Sequence, residues 1–362
     1  MARGTSTLEK EVNTNAPDAE NTADNVGETG DKGSVSIPIL GKLTEKTKTR
    51  IKIGISLFLF ASLFLFGKVD LSKSWAAALT AHKGYLAGSL ILFLLVPILN
   101  AQRWQLLASA VGLKKSLLKM TQYCYVGTFF NLFLPSTVGG DFSRCYYLSK
   151  GTGKYLHALS SVLVDRAMGL AVLLMFATFG LLLGPGGQEL PINLKLPIFI
   201  LTFGVFCVVP FMPQLSTRVL GPSNWLSRKL NESTARVFWQ DRGLILTAFL
   251  LSVIMQVLVV VCHVGIGMAL GIELPLWYYF VFYPSVAVLG FVTPSINGIG
   301  IREWAYTYFL TFMGVENSTA LTFAIIWLGL ITLLSLVGGV VYTLGHFKIS
   351  EEDRRKFQTG GV

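Results

Sequence analysis

Charge is scarce in this 362-residue chain. Asp, Glu, Lys and Arg make up 14% of it, where a soluble globular domain carries about 25%. Hydrophobic residues account for 52%, and the mean hydropathy is +0.58. A fold with so little polar surface cannot face water on every side, which excludes a soluble enzyme and a fibrous protein. Cysteine is sparse too. The four present, Cys124, Cys145, Cys207 and Cys262, include no Cys-x-x-Cys pair and have no His at ligand spacing. That excludes a disulfide scaffold and a zinc site, so neither metal nor cofactor is expected. There is no His-Glu-x-x-His, no Walker loop, no Gly-x-Ser-x-Gly and no Ser/His/Asp grouping, and no residue is assigned as catalytic.

Acidic residues are also badly distributed. Residues 1–41 hold seven acids and three bases, a net of −4, so the remainder carries 27 bases against 13 acids, a net of +14. The bases form no stripe of the kind nucleic acid requires. They stand at the ends of apolar runs, where Lys and Arg orient membrane spans. A membrane is the expected environment, and no nucleic-acid partner is.

Residues 1–50 read as a polar tail. No aromatic residue occurs in 1–41, and so polar a stretch cannot bury enough surface to offset its ordering entropy, so disorder is expected. No apolar run follows the start, and a signal peptide is not expected. Lys42, Lys46, Lys48, Arg50 and Lys52 then lead into apolar sequence. A full span needs about 20 residues to cross about 30 Å of hydrocarbon. Six segments qualify: 51–69, 84–102, 156–183, 194–213, 244–270 and 318–345. Bases crowd before the first span, at 103–119, at 218–242 and after 345, while 184–193 has none. The positive-inside rule therefore puts both termini, including a second tail at 348–362, in the cytoplasm.

Two further apolar stretches, 117–135 and 275–293, must start and end on one side to keep that parity, and are expected to be re-entrant hairpins. They resemble each other. The first runs Pro135-Ser136-Thr137-Val138-Gly139-Gly140-Asp141 to Arg144; the second runs Pro294-Ser295-Ile296-Asn297-Gly298-Ile299-Gly300 to Arg302-Glu303, with Pro, Ser and the first Gly 159 residues apart. The halves 51–183 and 194–345 repeat one order of elements, entering from opposite sides. The expected fold is an all-α polytopic membrane protein, an inverted repeat of broken helices with eight hydrophobic segments over 51–347.

Pro135 and Pro294 end their helices, and Gly139, Gly140, Gly298 and Gly300 supply the turns. Helices starting after those glycines would aim free N–H groups into the hollow, a seat for an anion beside Arg144 and Arg302. The functional reading is a site for a phosphate-bearing lipid head; the plain one is punctuation at the membrane surface. Asp165 and Arg166 lie inside an apolar run, where each costs about 2.5–3.5 kcal/mol. As helix neighbours they do not face each other. Asp165 is expected to pair with Arg144 or Arg302, and Arg166 with Asp141 or Glu303, whether for binding or for structure. Arg103 reads as an inner-face anchor or a phosphate contact. Asn131 and Gln122 line a polar cavity or satisfy broken backbone. Ser136 stands in the first turn. His263 reads as packing or as a proton relay, and Tyr123, Tyr278, Tyr279 and Tyr283 as interfacial aromatics.

The runs NLFLPSTVGGDFSR (131–144), SSVLVDRAMG (160–169) and PSINGIGIRE (294–303) resemble the lysylphosphatidylglycerol synthase transmembrane-region, or flippase-like domain, family over about residues 50–345. The resemblance implies a domain that moves lipids such as aminoacylated phosphatidylglycerol between leaflets. It carries a role onto Pro135, Gly139, Gly140, Asp141, Arg144, Asp165, Arg166, Gly298, Gly300, Arg302 and Glu303. Only 15 residues follow Phe347, so an appended synthase domain is not expected. The reading is a flippase in the cell (inner or plasma) membrane, with a phospho- or glycolipid as substrate partner. Its alternatives are a membrane enzyme using Asp165 or Glu303 as base on a lipid-linked substrate, and a proton-coupled transporter of a small solute. The oligomeric state stays open, a homodimer included.

Overall fold

A computed structural model describes residues 70–133, 139–184, 191–208, 218, 235–293, 298–345 and 347. The expected span 51–69, both tails, and Pro135, Ser136 and Pro294 lie outside the described residues. Within them the chain is helical: α1 (Leu71–Thr80), α2 (Lys83–Ala110), α3 (Leu117–Phe133), α4 (Gly139–Ser149), α5 (Tyr155–Leu183), α6 (Ile192–Val208), α7 (Ala235–Gln240), α8 (Arg242–Ala269), α9 (Leu276–Val292), α10 (Ile301–Phe312) and α11 (Asn317–Leu344). Four of these, α2, α5, α8 and α11, are long and apolar enough to cross a membrane. Each agrees with an expected span to within a turn except α2, which runs eight residues further, to Ala110. The short helices α1 and α7 had no counterpart in the sequence reading. Asp70 starts α1 by accepting from the Ser72 N–H at 2.8 Å, and Asp241 starts α8 by accepting from the Leu244 N–H at 3.0 Å, as an N-cap carboxylate should.

The 159-residue register of the two motifs extends through the helices around them. Adding 159 to the bounds of α2 and α3 gives those of α8 and α9. Their ends match as well. Gly112 (φ 77°) and Gly271 (φ 66°) follow α2 and α8 in the left-handed conformation open to glycine. The next N–H then reaches back, Leu113 to the Ala108 carbonyl and Ile272 to the Gly267 carbonyl, both at 2.9 Å. This is one helix-stop device used twice.

The equivalent helices α2 and α8 lie antiparallel. The His82 N–H donates to the Ala269 carbonyl at 2.8 Å, Ser89 Oγ to the Cys262 carbonyl at 3.1 Å, and Arg103 to Ser252 Oγ at 2.7 Å. A Cβ at Gly265 would fall 2.3 Å from Ser89 Oγ, so the close approach requires glycine there. Helices α3 and α4 form an antiparallel hairpin, with Tyr123 stacked on Tyr147 at 5.8 Å. So do α9 and α10, where Tyr278 Oη donates to the Phe309 carbonyl at 2.7 Å. At about 1.5 Å per residue, α3 and α4 are each too short to cross a bilayer. Each hairpin packs on its own half's last long helix and also crosses to the other's: α3 rests on α11, and α9 on α5. Every packing within one half has its partner in the other.

Two cores result. One surrounds Trp104, Met120 and Phe238; the other is aromatic, around Tyr278, Phe282, Tyr306, Phe323 and Trp327. Tyr123, Tyr278, Tyr279 and Tyr283 are all buried, which corrects their reading as interfacial. Their rings fill helix–helix gaps, and their hydroxyls reach backbone or side-chain acceptors within the bundle.

Candidate functional site

Three helices bring charge together in the first half. Asp165 on α5, 1% exposed, receives Arg103 Nε from α2 at 2.8 Å on one oxygen and an Arg144 terminal nitrogen from α4 at 3.0 Å on the other. A carboxylate between two guanidinium groups is the arrangement in which buried charges are retained, because each neutralises the other's desolvation. Arg103 also donates to Ser252 and, at 3.2 Å, to Asn100 Oδ1. It is therefore no inner-face anchor: its side chain is 4% exposed and ties α2 to α5 and α8. Arg144 lies over the Trp104 ring, 4.1 Å from its centre, while Trp104 Nε1 donates to Ser161 Oγ at 3.0 Å. The cation–π contact is worth about 0.5–2 kcal/mol. The Arg144 Nε is buried with no partner among the described residues.

Arg166 pairs with Asp141 in a two-pronged contact at 2.6–3.1 Å, the arginine 42% exposed. So of the expected pairings, Asp165–Arg144 and Arg166–Asp141 form; Asp165–Arg302 and Arg166–Glu303 do not. Glu303 instead accepts from the Gly300 N–H at 2.6 Å, closing the N-terminus of its own helix. That corrects the expected anion seat there, since a protein carboxylate already fills it. On α4 the Gly140 N–H likewise goes to Asn131 Oδ1 at 2.8 Å.

The glycines divide in role. Gly298 (φ 77°) and Gly300 (φ 90°) hold the left-handed turn into α10. Gly139 and Gly140 do not belong to a turn, because α4 begins with them. Gly140 is there for space: a Cβ would lie 2.1 Å from the Gly127 carbonyl oxygen. Turn geometry and close helix packing both ask for glycine, so spacing alone does not separate them.

These groups face a central cavity of about 410 Å³, to which the first half brings Arg103, Asn131, Asp165 and Arg166 and the second brings Gln256 and Arg302. A second lobe of about 320 Å³ shares Asn131, Arg166, Gln256 and Arg302 and continues to Phe93, Tyr283, Tyr306 and Trp327. Arg302 has no hydrogen bond or ion pair among the described residues and passes close to Gly290 and Gly298. The network of Arg103, Arg144 and Arg166 with Asp141 and Asp165 sums to +1, and Arg302 adds a cation whose neighbour Glu303 is turned to its own backbone. Separately, an apolar groove of about 310 Å³ runs between α5 and α9, lined by Phe176, Phe179, Trp277 and Phe280.

Trp104, Ser252, Gln256, Tyr283 and Trp327 were not singled out as site residues from the sequence. Gln256 carried a signal, an amide in a long apolar run; the aromatics carried none that distinguishes a cavity wall from a core. His263 is a packing residue, held by the Val259 carbonyl and Tyr306 Oη at 2.7 Å each and lying 4.1 Å from the Trp327 ring centre. Among the described residues no cluster of His, Cys, Asp and Glu suits a metal ion.

No curated protein and no solved structure matches the chain. The family described as lysylphosphatidylglycerol synthase TM region does, over residues 51–339. The match takes in both hairpins and all four long apolar helices. The chain is thus a multi-pass membrane protein and belongs to the lysylphosphatidylglycerol synthase TM region family.

Proposed function

We propose that this protein translocates a phosphate-bearing lipid between the leaflets of the cell membrane. The observation that carries the reading is the central cavity, cationic by composition and bounded by hairpins from both halves. A charged head crossing bare hydrocarbon meets a desolvation barrier of many kcal/mol; polar walls replace part of its hydration. The guanidinium groups of Arg166 and Arg302 offer planar donors to phosphate oxygens. The acyl chains stay in the bilayer, with the apolar α5/α9 groove beside them.

The architecture in this reading is an inverted repeat whose two hairpins are re-entrant. The antiparallel α2/α8 pair supports it, because helices equivalent by register point opposite ways. Cytoplasmic termini follow from the charge distribution. In a cysteine-free background, Thr152→Cys and Glu316→Cys, in the loops after the two hairpins, should be labelled by an impermeant maleimide from opposite sides. Labelling from the same side would end the inverted reading.

Transport is favoured over catalysis by the state of the two candidate bases. Both Asp165 oxygens are engaged by guanidinium groups, and Glu303 caps its helix. Neither is aimed at a substrate, and a doubly paired Asp165 is poorly placed to carry protons. The test is translocation of tail-labelled phosphatidylglycerol in liposomes containing the purified chain, read by dithionite quenching. Wild type should exceed protein-free vesicles, and Arg302→Ala should not. Equal rates for the two proteins would sink the site assignment.

A further inference from the structure

The cavity has two chemically different lobes, and together they specify more than a phosphate. We infer that the lipid head carries an uncharged, hydroxyl-bearing group beyond its phosphate, and no amine. This rests on the translocation reading above.

The polar groups with unused capacity in the cavity are donors. Asn131 Oδ1 is taken by the Gly140 N–H, which turns its NH₂ to the lining. Gln256 Oε1 accepts from Tyr283 Oη at 3.0 Å, and its NH₂ reaches only the Gly169 carbonyl, at 3.5 Å. Arg166 and Arg302 line both lobes and donate without accepting. The carboxylate at the wall, Asp165, is occupied on both oxygens.

The second lobe adds an aromatic wall. Phe93, Tyr283 and Trp327 line it and are 8%, 8% and 5% exposed. Trp327 is wedged between Phe93, 4.7 Å away, and His263, so the wall is rigid. Aromatic faces attract cations when nothing opposes them. Here two guanidinium groups flank the lobe with no free carboxylate among the described residues that line it. An ammonium would meet like charge and no counter-ion. A glycerol, inositol or sugar ring meets neither penalty: its C–H surface packs on the rings, and its hydroxyl oxygens accept from Asn131 and Gln256.

The experiment compares tail-labelled phosphatidylglycerol, phosphatidylethanolamine and phosphatidic acid in liposomes with the full chain. Phosphatidylglycerol should be moved faster than phosphatidylethanolamine by about tenfold, the scale of a built-in repulsive element. Trp327→Leu and Trp327→Phe should lower the phosphatidylglycerol-to-phosphatidic acid ratio, the leucine variant more. Phosphatidylethanolamine moving as fast as phosphatidylglycerol in wild type would overturn the inference and leave lipid translocation standing. Movement of none of the three would overturn the translocation reading and this inference with it. Uptake of radiolabelled glycerol 1-phosphate in place of lipid movement would overturn the lipid reading while upholding the head chemistry.

Discussion

Arg144 and Glu303 stand 159 residues apart at equivalent positions in the two hairpins, both about 2% exposed, with opposite charge and opposite work. Arg144 reaches out of its hairpin to Asp165 on the next long helix. Glu303 turns back to the Gly300 N–H and closes its own helix. Where Arg103 supplies charge on α2, the equivalent position on α8 is Cys262, and where Trp104 stands beside it, His263 sits among aromatic rings. The halves share a backbone plan while one is ionic and the other aromatic, which gives the cavity between them two unlike lobes.

Asp165→Asn should be severely destabilising. It leaves Arg103 and Arg144 buried with their shared counter-charge gone, a change that costs about 3–5 kcal/mol. Thermal unfolding in detergent should register a large fall in Tm. The more exposed Arg166→Gln should cost only about 0–1 kcal/mol. Similar Tm values for the two variants would show that the triad is not structural.

Removing Arg302 should behave differently, because it orphans no described ionic partner. Arg302→Ala should keep a near-native Tm and lose translocation. Gly290→Ala, whose new methyl would sit 2.9 Å from Arg302 Nε, should displace the guanidinium and give a partial version of the same defect. Arg144→Ala is a poorer test of binding, since it also strips Asp165 of one partner.

Gly140→Ala should separate α3 from α4. Overpacking of this kind costs about 1–3 kcal/mol, and the obstacle is the backbone carbonyl of Gly127, which cannot rotate aside. Gly127→Ala, with its nearest neighbours at 3.2 Å, should be milder. A greater loss of Tm in Gly127→Ala than in Gly140→Ala would contradict this packing.

His263→Phe should strand the Tyr306 hydroxyl, at a cost of about 1–3 kcal/mol. The double variant with Tyr306→Phe should recover part of it, a coupling of about 0.5–3 kcal/mol. A proton-relay role would show up as a changed pH dependence of translocation in His263→Gln, and none is expected.

Much of this was legible beforehand. Apolar runs longer than a bilayer, basic flanks and the Pro-Ser-x-x-Gly pair located the long helices and both hairpins, because burial periodicity and helix-stopping residues act within a few positions along the chain. Asp165 and Arg166 announced themselves by their cost in an apolar run. Their partners did not. Which arginine meets Asp165 depends on how α2, α4 and α5 cross, and Arg103, an ordinary anchor by position, became a buried ligand only through that crossing. Gly140 looked like a turn residue and is a contact residue for the same reason.

The sequence by itself determined a membrane-spanning helical chain in two similar halves, since hydrophobicity, chain length and local stops settle those matters without reference to distant residues. Only the tertiary structure decided that Arg103, Arg144 and Asp165 form one triad, that Glu303 serves its own helix, and that aromatic rings line half of the cavity. Those outcomes are set by contacts between residues far apart in the chain, where distance and direction, rather than composition, govern the energy.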